Sequence, residues 1–189
     1  MAEQIQDGLG TGVRAKVSKD HRLDVSSKAN PRPYYVSRDT GLVFNCTSDY
    51  SATAGDYVFY IKNTSSTRNL FLHGIEYHSV NDVKWRIWQV NGTAVGTELT
   101  PANMNLGSGL PAEAICMGNA AVTGLTNVIQ IGTHRTTALG EAGMEFSDAL
   151  ILTPGTAIAV EYDTGTTGNM ELDVFFYFED INQYCYQLK

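Results

Sequence analysis

The sequence predicts an all-β fold, an antiparallel β-sandwich of the jelly-roll type preceded by an extended N-terminal arm. From residue 50 onward, apolar side chains recur with a period of two, in short runs separated by Gly, Asn, Thr and Pro. This pattern is typical of sandwiches and barrels. The chain has 189 residues, which suits one domain of ordinary size and a tail. We therefore assign residues 1–40 to the arm and residues 41–189 to the β-sandwich domain.

The arm differs from the domain in composition and charge. Residues 1–40 contain seven basic and five acidic residues, a formal charge of +2, whereas residues 41–189 carry −9. The arm has few large apolar side chains, so it cannot bury enough surface to offset its ordering entropy. We expect it to be extended or disordered in isolation. It is either a segment attracted to an acidic surface or a solvated tail without a role.

Three strands open the domain. Residues 57–61, 69–77 and 83–90 are rich in aromatic and β-branched side chains, which favour strands. The third run ends at Asn91-Gly92, two residues that accept positive φ and predict a two-residue hairpin turn.

The middle of the domain is less regular and its end is clear. Residues 101–111 form a polar loop, and a short helix signal covers residues 147–151. Pro154-Gly155 predicts a turn. The remaining predicted strands are residues 96–100, 112–117, 127–132, 144–146, 156–162 and 170–178.

The last run indicates how the sheets are covered. One side of this strand is wholly apolar and the other mixes an acid with aromatics, as Leu172, Val174, Phe176 and Phe178 alternate with Asp173, Phe175 and Tyr177. One face therefore points to a core and the other is partly covered. Such cover is typical of an oligomer contact, although single surface aromatics are also common. Two sheets packed face to face in a jelly roll account for this number of strands.

Composition excludes several classes of protein. The net charge of −7 argues against a nucleic-acid-coating protein, which needs clustered Lys and Arg. Residues 1–12 lack the apolar stretch of a secretory signal, and no window approaches the roughly 20 apolar residues that span a bilayer. We expect a chain made in the cytosol. The three widely spaced cysteines, Cys46, Cys116 and Cys185, are expected to be free and mostly buried.

The histidines and carboxylates do not form a recognisable active site. His73 and His78 are five residues apart and point to opposite faces of a regular strand, so they share a metal only if a bulge intervenes. His134 lies beside Arg135 in a predicted loop, and His21 lies in the arm. Two carboxylate pairs, Glu161/Asp163 and Glu171/Asp173, are candidate neighbours across a hairpin. Neither glycosidase geometry nor a Ca²⁺ ligand series is visible in them, so a solvated polar face is favoured.

Sugar binding and nucleotide chemistry have little support. A carbohydrate platform needs aromatics on one face, but Trp85 and Trp88 differ in parity, so one of them at most could join Tyr77 there. Gly8, Gly10 and Gly12 lack the preceding strand and following helix of a dinucleotide site. We expect no enzyme activity, no cofactor, no metal site and no catalytic residue.

The start of the chain carries a family pattern. Asp7-Gly8-Leu9-Gly10-Thr11-Gly12 is followed by Ala15-Lys16-Val17 and then by Arg22-Leu23. This resembles the "DGTG-x-G-x-x-AKV-x-x-x-x-RL" start of many virion structural proteins of tailed bacteriophages, with Leu9 where Thr is usual. Residues 56–65, 99–109 and 151–157 are similar to segments of phage jelly-roll proteins that decorate or cement the head.

The resemblance implies a structural role on the virion surface, with the major capsid protein as partner. It also implies repeated copies, commonly homotrimers at threefold positions. From charge and hydropathy we expect no nucleic-acid or membrane partner. We predict that the arm anchors the protein through a strip of basic and apolar residues, Val13, Arg14, Lys16, Val17, Arg22, Leu23 and Val25. The alternatives are a phage fibre or tail component, or a carbohydrate-binding β-sandwich module that contacts the host surface.

Overall fold

The computed structural model describes residues 32–164 and 166–181, which form one short helix and nine strands. In these residues every strand pairing is antiparallel. The predicted all-β fold is therefore confirmed. In chain order the elements are α1 (Arg32–Thr40), β1 (Val43–Ala52), β2 (Asp56–Asn63), β3 (Arg68–Ser79), β4 (Val83–Leu99), β5 (Ala102–Asn103), β6 (Ala114–Thr136), β7 (Gly140–Leu152), β8 (Ala157–Thr164) and β9 (Gly168–Asp180).

The strands form two sheets. The first has the order β5-β1-β9-β3-β7. The second sheet is a closed ring in the order β2-β8-β4-β6. The ring closes because the long strand β6 pairs with β2 near its start and with β4 along most of its length. Leaving out the two-residue β5, the sheets are β1-β9-β3-β7 and β2-β8-β4-β6. This is the order of two Greek keys in a jelly roll, so the predicted sandwich is confirmed.

The main core lies between the two sheets. It contains fully buried aromatics from both, including Tyr77 of β3 and Trp85 of β4, whose ring centroids are 5.1 Å apart. Burying one large apolar side chain stabilises a fold by about 1.5–3 kcal/mol. A smaller cluster lies on the opposite face of the four-stranded ring and contains Tyr60, Val90, Val122, Ala157 and Ala159.

The last strand matches its sequence pattern on both faces. The inward residues Leu172, Val174, Phe176 and Phe178 are buried in the main core. On the outward side Phe175 is half-buried, and the buried Tyr177 stacks on Phe71 with ring centroids 5.1 Å apart. The expectation that the second face is partly covered is therefore correct.

The end of the predicted arm is helical. Residues 32–40 form α1, and Val36 packs into the main core. Pro33 lies in the first turn, where its missing N–H costs little. Gly41, with φ of 67°, ends the helix by donating its N–H to the carbonyls of Val36 and Ser37. The compact unit of the domain accordingly starts at Arg32.

The predicted hairpin turn at residues 91–92 and the predicted helix at residues 147–151 are both wrong. The chain does not turn back at Asn91-Gly92. Strand β4 continues to Leu99, and its pairing with β6 shifts register between Gly92 and Val95. The helix signal at residues 147–151 lies in β7. Ser147 and Asp148 there have positive φ, and the ladder to β3 shifts register opposite them. A β-bulge thus replaces the predicted helix.

Candidate functional site

The predicted anchoring strip lies outside the described residues. Its members, Val13, Arg14, Lys16, Val17, Arg22, Leu23 and Val25, belong to residues 1–31. The strip stays a prediction.

The outer face of the five-stranded sheet is strongly acidic. Strand register places Glu76 between Asp173 and Gly143, and His78 between Glu171 and Glu141. Strands β1, β3, β7 and β9 contain one basic residue other than histidine, Arg68, which pairs with Glu113 and Asp180. We define the acidic face as Asp49, Glu76, Glu141, Glu145, Glu171 and Asp173.

Two shallow cavities adjoin on this face. One, of about 480 Å³, is lined by acidic residues of three neighbouring strands, including Glu76, Glu141 and Glu171. The other, of about 500 Å³, shares Glu76 and adds Glu145 and Phe175. Asp173, which also lines the first cavity, accepts hydrogen bonds from Asn45 Nδ2, at 3.2 Å, and from the Thr47 hydroxyl. The surface suits basic partners better than anionic ones.

His73 and His78 both lie next to the acidic face. The ladder of β3 shifts register between Leu72 and Gly74, which is the bulge that could bring the two histidines to one face. Each of them lines one of the two cavities beside Glu76. His73 Nδ1 lies 3.1 Å from Asp148 Oδ1. Among the described residues, however, no group of three His, Cys, Asp or Glu side chains is placed to hold a metal ion.

The two carboxylate pairs are not neighbours across a hairpin. Glu161 and Asp163 lie on β8 in the second sheet, whereas Glu171 and Asp173 lie on β9 in the first. Successive strands of a jelly roll often belong to different sheets, so closeness in sequence misleads here.

Glu161 and Asp163 instead belong to an ion-pair network on β4 and β8. Asp163 lies 3.0 Å from Arg86 Nη1 and 3.1 Å from Lys84 Nζ. Glu161 Oε2 accepts a hydrogen bond of 2.6 Å from Trp88 Nε1. Two carboxylates thus balance two cations. This balance favours a structural role over general acid or base chemistry.

The aromatic residues considered for sugar binding do not form a platform. Trp85 and Tyr77 are fully buried in the main core, and Trp88 is half-buried on the opposite face, against the smaller cluster. The opposite orientation of the two tryptophans is as predicted. His134, expected in a loop, lies in β6 and stacks on Tyr77 with ring centroids 5.4 Å apart.

The second half of β6 presents apolar side chains at an unpaired edge. After Val122, β6 pairs with β4 on one side, and no described strand pairs with its other edge. Val128, Ile129 and Ile131 are 51%, 58% and 40% exposed there. An exposed apolar strand edge is an association surface. The sequence carries no direct signal for it, because the edge results from the pairing of distant segments.

Comparisons with protein-family models, curated proteins and solved structures find no match to this chain. Within the described residues, no helix has the length and apolar character needed to cross a membrane.

Proposed function

We propose that this protein is a structural virion protein that decorates and stabilises a bacteriophage capsid. The observation that carries the proposal is the arm pattern from Asp7-Gly8 to Arg22-Leu23, which resembles the start of phage virion structural proteins. In this proposal the arm binds the major capsid protein. The protein is made in the host cytoplasm and ends on the capsid surface.

The body supports a binding role more than a catalytic one. Its prominent surface features are the acidic face and the apolar edge of β6, and the polar network of Lys84, Arg86, Glu161 and Asp163 is internally balanced. The apolar edge is suited to contacts between copies in a homotrimer. The excess of negative charge on the body keeps such copies soluble before assembly.

Repeated copies explain how a short arm is enough to attach the protein to a capsid. A segment that orders on binding loses conformational entropy, which lowers the affinity of a single arm. Several arms in one oligomer raise the effective concentration of each remaining arm at the capsid. The strip combines basic and apolar residues, which fits an acidic surface that also offers apolar contacts.

The decisive experiment compares arm variants on virus particles. Undecorated heads of the source phage are incubated with the full chain, with a variant that lacks residues 1–31, and with Arg14→Glu/Lys16→Glu/Arg22→Glu. Lys19→Glu/Lys28→Glu is the matched control, because it reverses arm charges outside the strip. We expect the first two variants to lose head occupancy at least tenfold, while the control retains most of it. Circular dichroism checks that the body stays folded, since the compact unit begins at Arg32.

The same experiment separates the alternatives. Full occupancy by the truncated chain would contradict anchoring through the arm. Density of the full chain at the tail in electron micrographs would favour a fibre or tail component. Glycan binding without any virion association would favour a carbohydrate-binding module, although the burial of Trp85 and Tyr77 removes the platform considered for it.

A further inference from the structure

Two cysteines from different sheets meet in the main core. Cys46 lies on β1 and Cys116 on β6, with 3% and 0% of their surfaces exposed. Both are free thiols, as the sequence predicts. Cys185 lies outside the described residues.

The strands that carry these two thiols are in close contact. Ser48 and Gly118, each two residues further along its strand, touch so closely that a Cβ on Gly118 would lie 2.8 Å from the Ser48 Cβ. Asn119 donates its backbone N–H to Ser48 Oγ at 2.9 Å. Since residues two apart share a face of a strand, Cys46 and Cys116 project into the same narrow gap. In keeping with this placement, the neighbouring Cys46 side chain raises the pKa of the Cys116 thiol.

We propose that Cys46 and Cys116 are a site of reversible disulfide formation that links the two sheets. A peroxide is the oxidant in this proposal. The first thiol sulfur attacks a peroxide oxygen, giving a sulfenic acid and one water. The second sulfur then displaces the hydroxyl group as a second water and forms the S–S bond. Both thiol protons leave with the two waters, and two electrons pass from sulfur to the peroxide.

The surroundings of the pair control when this reaction occurs. The neighbouring Cys46 side chain and then burial raise the pKa of Cys116, so little of the reactive thiolate forms at neutral pH. The pair therefore remains reduced in a cytosol and reacts slowly outside it, when β1 and β6 open locally. Once formed, the bond closes a long loop between residues 46 and 116 and stabilises the fold by restricting the unfolded chain. This inference is independent of the proposed function.

The test uses the full chain with Cys185→Ser, so that only the two core thiols remain. The protein is treated with hydrogen peroxide a few degrees below its melting temperature, then unfolded and alkylated for mass spectrometry. We expect both thiols to disappear together and the peptides that contain them to be cross-linked within one chain. The melting temperature should rise by roughly 5–15 °C, and dithiothreitol should reverse the rise.

Two further variants serve as controls, Cys46→Ala and Cys116→Ala, each combined with Cys185→Ser. Neither can form the bond, so peroxide should not raise their melting temperatures. The main measurements, cross-linking and melting temperature, are made on the Cys185→Ser protein with both core cysteines. They therefore remain interpretable even if a control variant folds poorly. Complete alkylation of both thiols after peroxide treatment, or separate oxidation of each to a sulfinic acid, would overturn the proposal. A fall in melting temperature with the cross-link formed would overturn its stabilising effect.

Discussion

Gly92 and Gly124 approach each other so closely across the β4–β6 ladder that neither position has room for a side chain. A Cβ on Gly92 would collide with the carbonyl oxygen of Gly124, and a Cβ on Gly124 with that of Thr93. Both glycines have positive φ, 110° and 76°. They lie where the register of the ladder shifts, between Gly92 and Val95. Because such irregularities bend and twist strands, we infer that this pair allows β6 to reach β2 and close the ring.

Replacing either glycine should therefore destabilise the fold strongly. We expect Gly92→Ala and Gly124→Ala each to lower the free energy of unfolding by about 2–4 kcal/mol, from left-handed strain and backbone collision together. Gly55→Ala is the matched control, because Gly55 has φ of 94° and a Cβ added there would meet no atom within 4 Å. It should cost only about 1 kcal/mol. Urea denaturation measures the free energy of unfolding of all three variants. Equal losses of stability in the three would show that the collision of the added Cβ with the facing backbone contributes nothing.

The same glycine shows what local sequence can and cannot predict. The Asn91-Gly92 pair correctly indicates positive φ at Gly92 but not at Asn91, and chain reversal depends on whether the following residues pair with a distant strand. Residues 95–99 find their partners at residues 116–123, so the strand continues. In β9, by contrast, the alternation of Leu172 to Phe178 is itself the packing pattern, and the sequence predicts its buried face correctly.

The candidate sites differ in the same way. The acidic face combines Glu76, Glu141 and Glu171, which are far apart in sequence and become neighbours through strand register. Glu161 and Glu171 are close in the chain, which predicts that they are neighbours, but the jelly roll places them in different sheets. The arm strip rests on a linear pattern, which sequence can reveal directly.

Tyr77 and Tyr162 provide a comparison between two buried hydroxyl groups. The Tyr77 hydroxyl finds no hydrogen-bond partner among the described residues, whereas Tyr162 donates to the carbonyl of Thr166 at 2.8 Å. An unsatisfied buried polar group costs about 1–3 kcal/mol, and a net hydrogen bond contributes about 1 kcal/mol. We expect Tyr77→Phe to raise the free energy of unfolding by about 1 kcal/mol and Tyr162→Phe to lower it by a similar amount. Chemical denaturation of both variants checks that the two changes in the free energy of unfolding have opposite signs. A lower stability of Tyr77→Phe would mean that the Tyr77 hydroxyl has a hydrogen-bond partner.

The ion-pair network should be sensitive to the loss of one carboxylate. The Asp163 side chain is only 11% exposed and lies between Lys84 and Arg86, so Asp163→Asn removes the carboxylate that faces Lys84 and leaves Arg86 with the longer contact of 3.9 Å to Glu161 Oε2. Breaking a fully buried pair costs about 3–5 kcal/mol. Because the Lys84 and Arg86 side chains are 23% and 29% exposed, we expect Asp163→Asn to lower the free energy of unfolding by about 2 kcal/mol, as measured by urea denaturation.

The matched control for the network is an exposed ion pair on α1. Arg38 and Asp39 lie 2.6 Å apart, but more than half of each side chain is exposed, and such pairs contribute little. Asp39→Asn should leave the urea midpoint unchanged, although the hydrogen bond from Arg38 lowers the pKa of Asp39. Similar losses in both variants would mean that burial does not strengthen the network.

The core thiol pair should also make stability depend on alkaline pH. The neighbouring Cys46 side chain and then burial raise the pKa of Cys116, while an unfolded thiol has a pKa of about 8.5. Above that pH the unfolded chain releases a proton that the native chain keeps, so the unfolded state binds fewer protons. The free energy of unfolding must then fall as pH rises, by up to about 1.4 kcal/mol per pH unit, whereas below about pH 8 the contribution is complete. Urea denaturation between pH 7.5 and about 10, with reductant, should show a shallower fall for Cys116→Ala/Cys185→Ser than for Cys185→Ser. Parallel pH profiles would show that the native thiol titrates like an unfolded one.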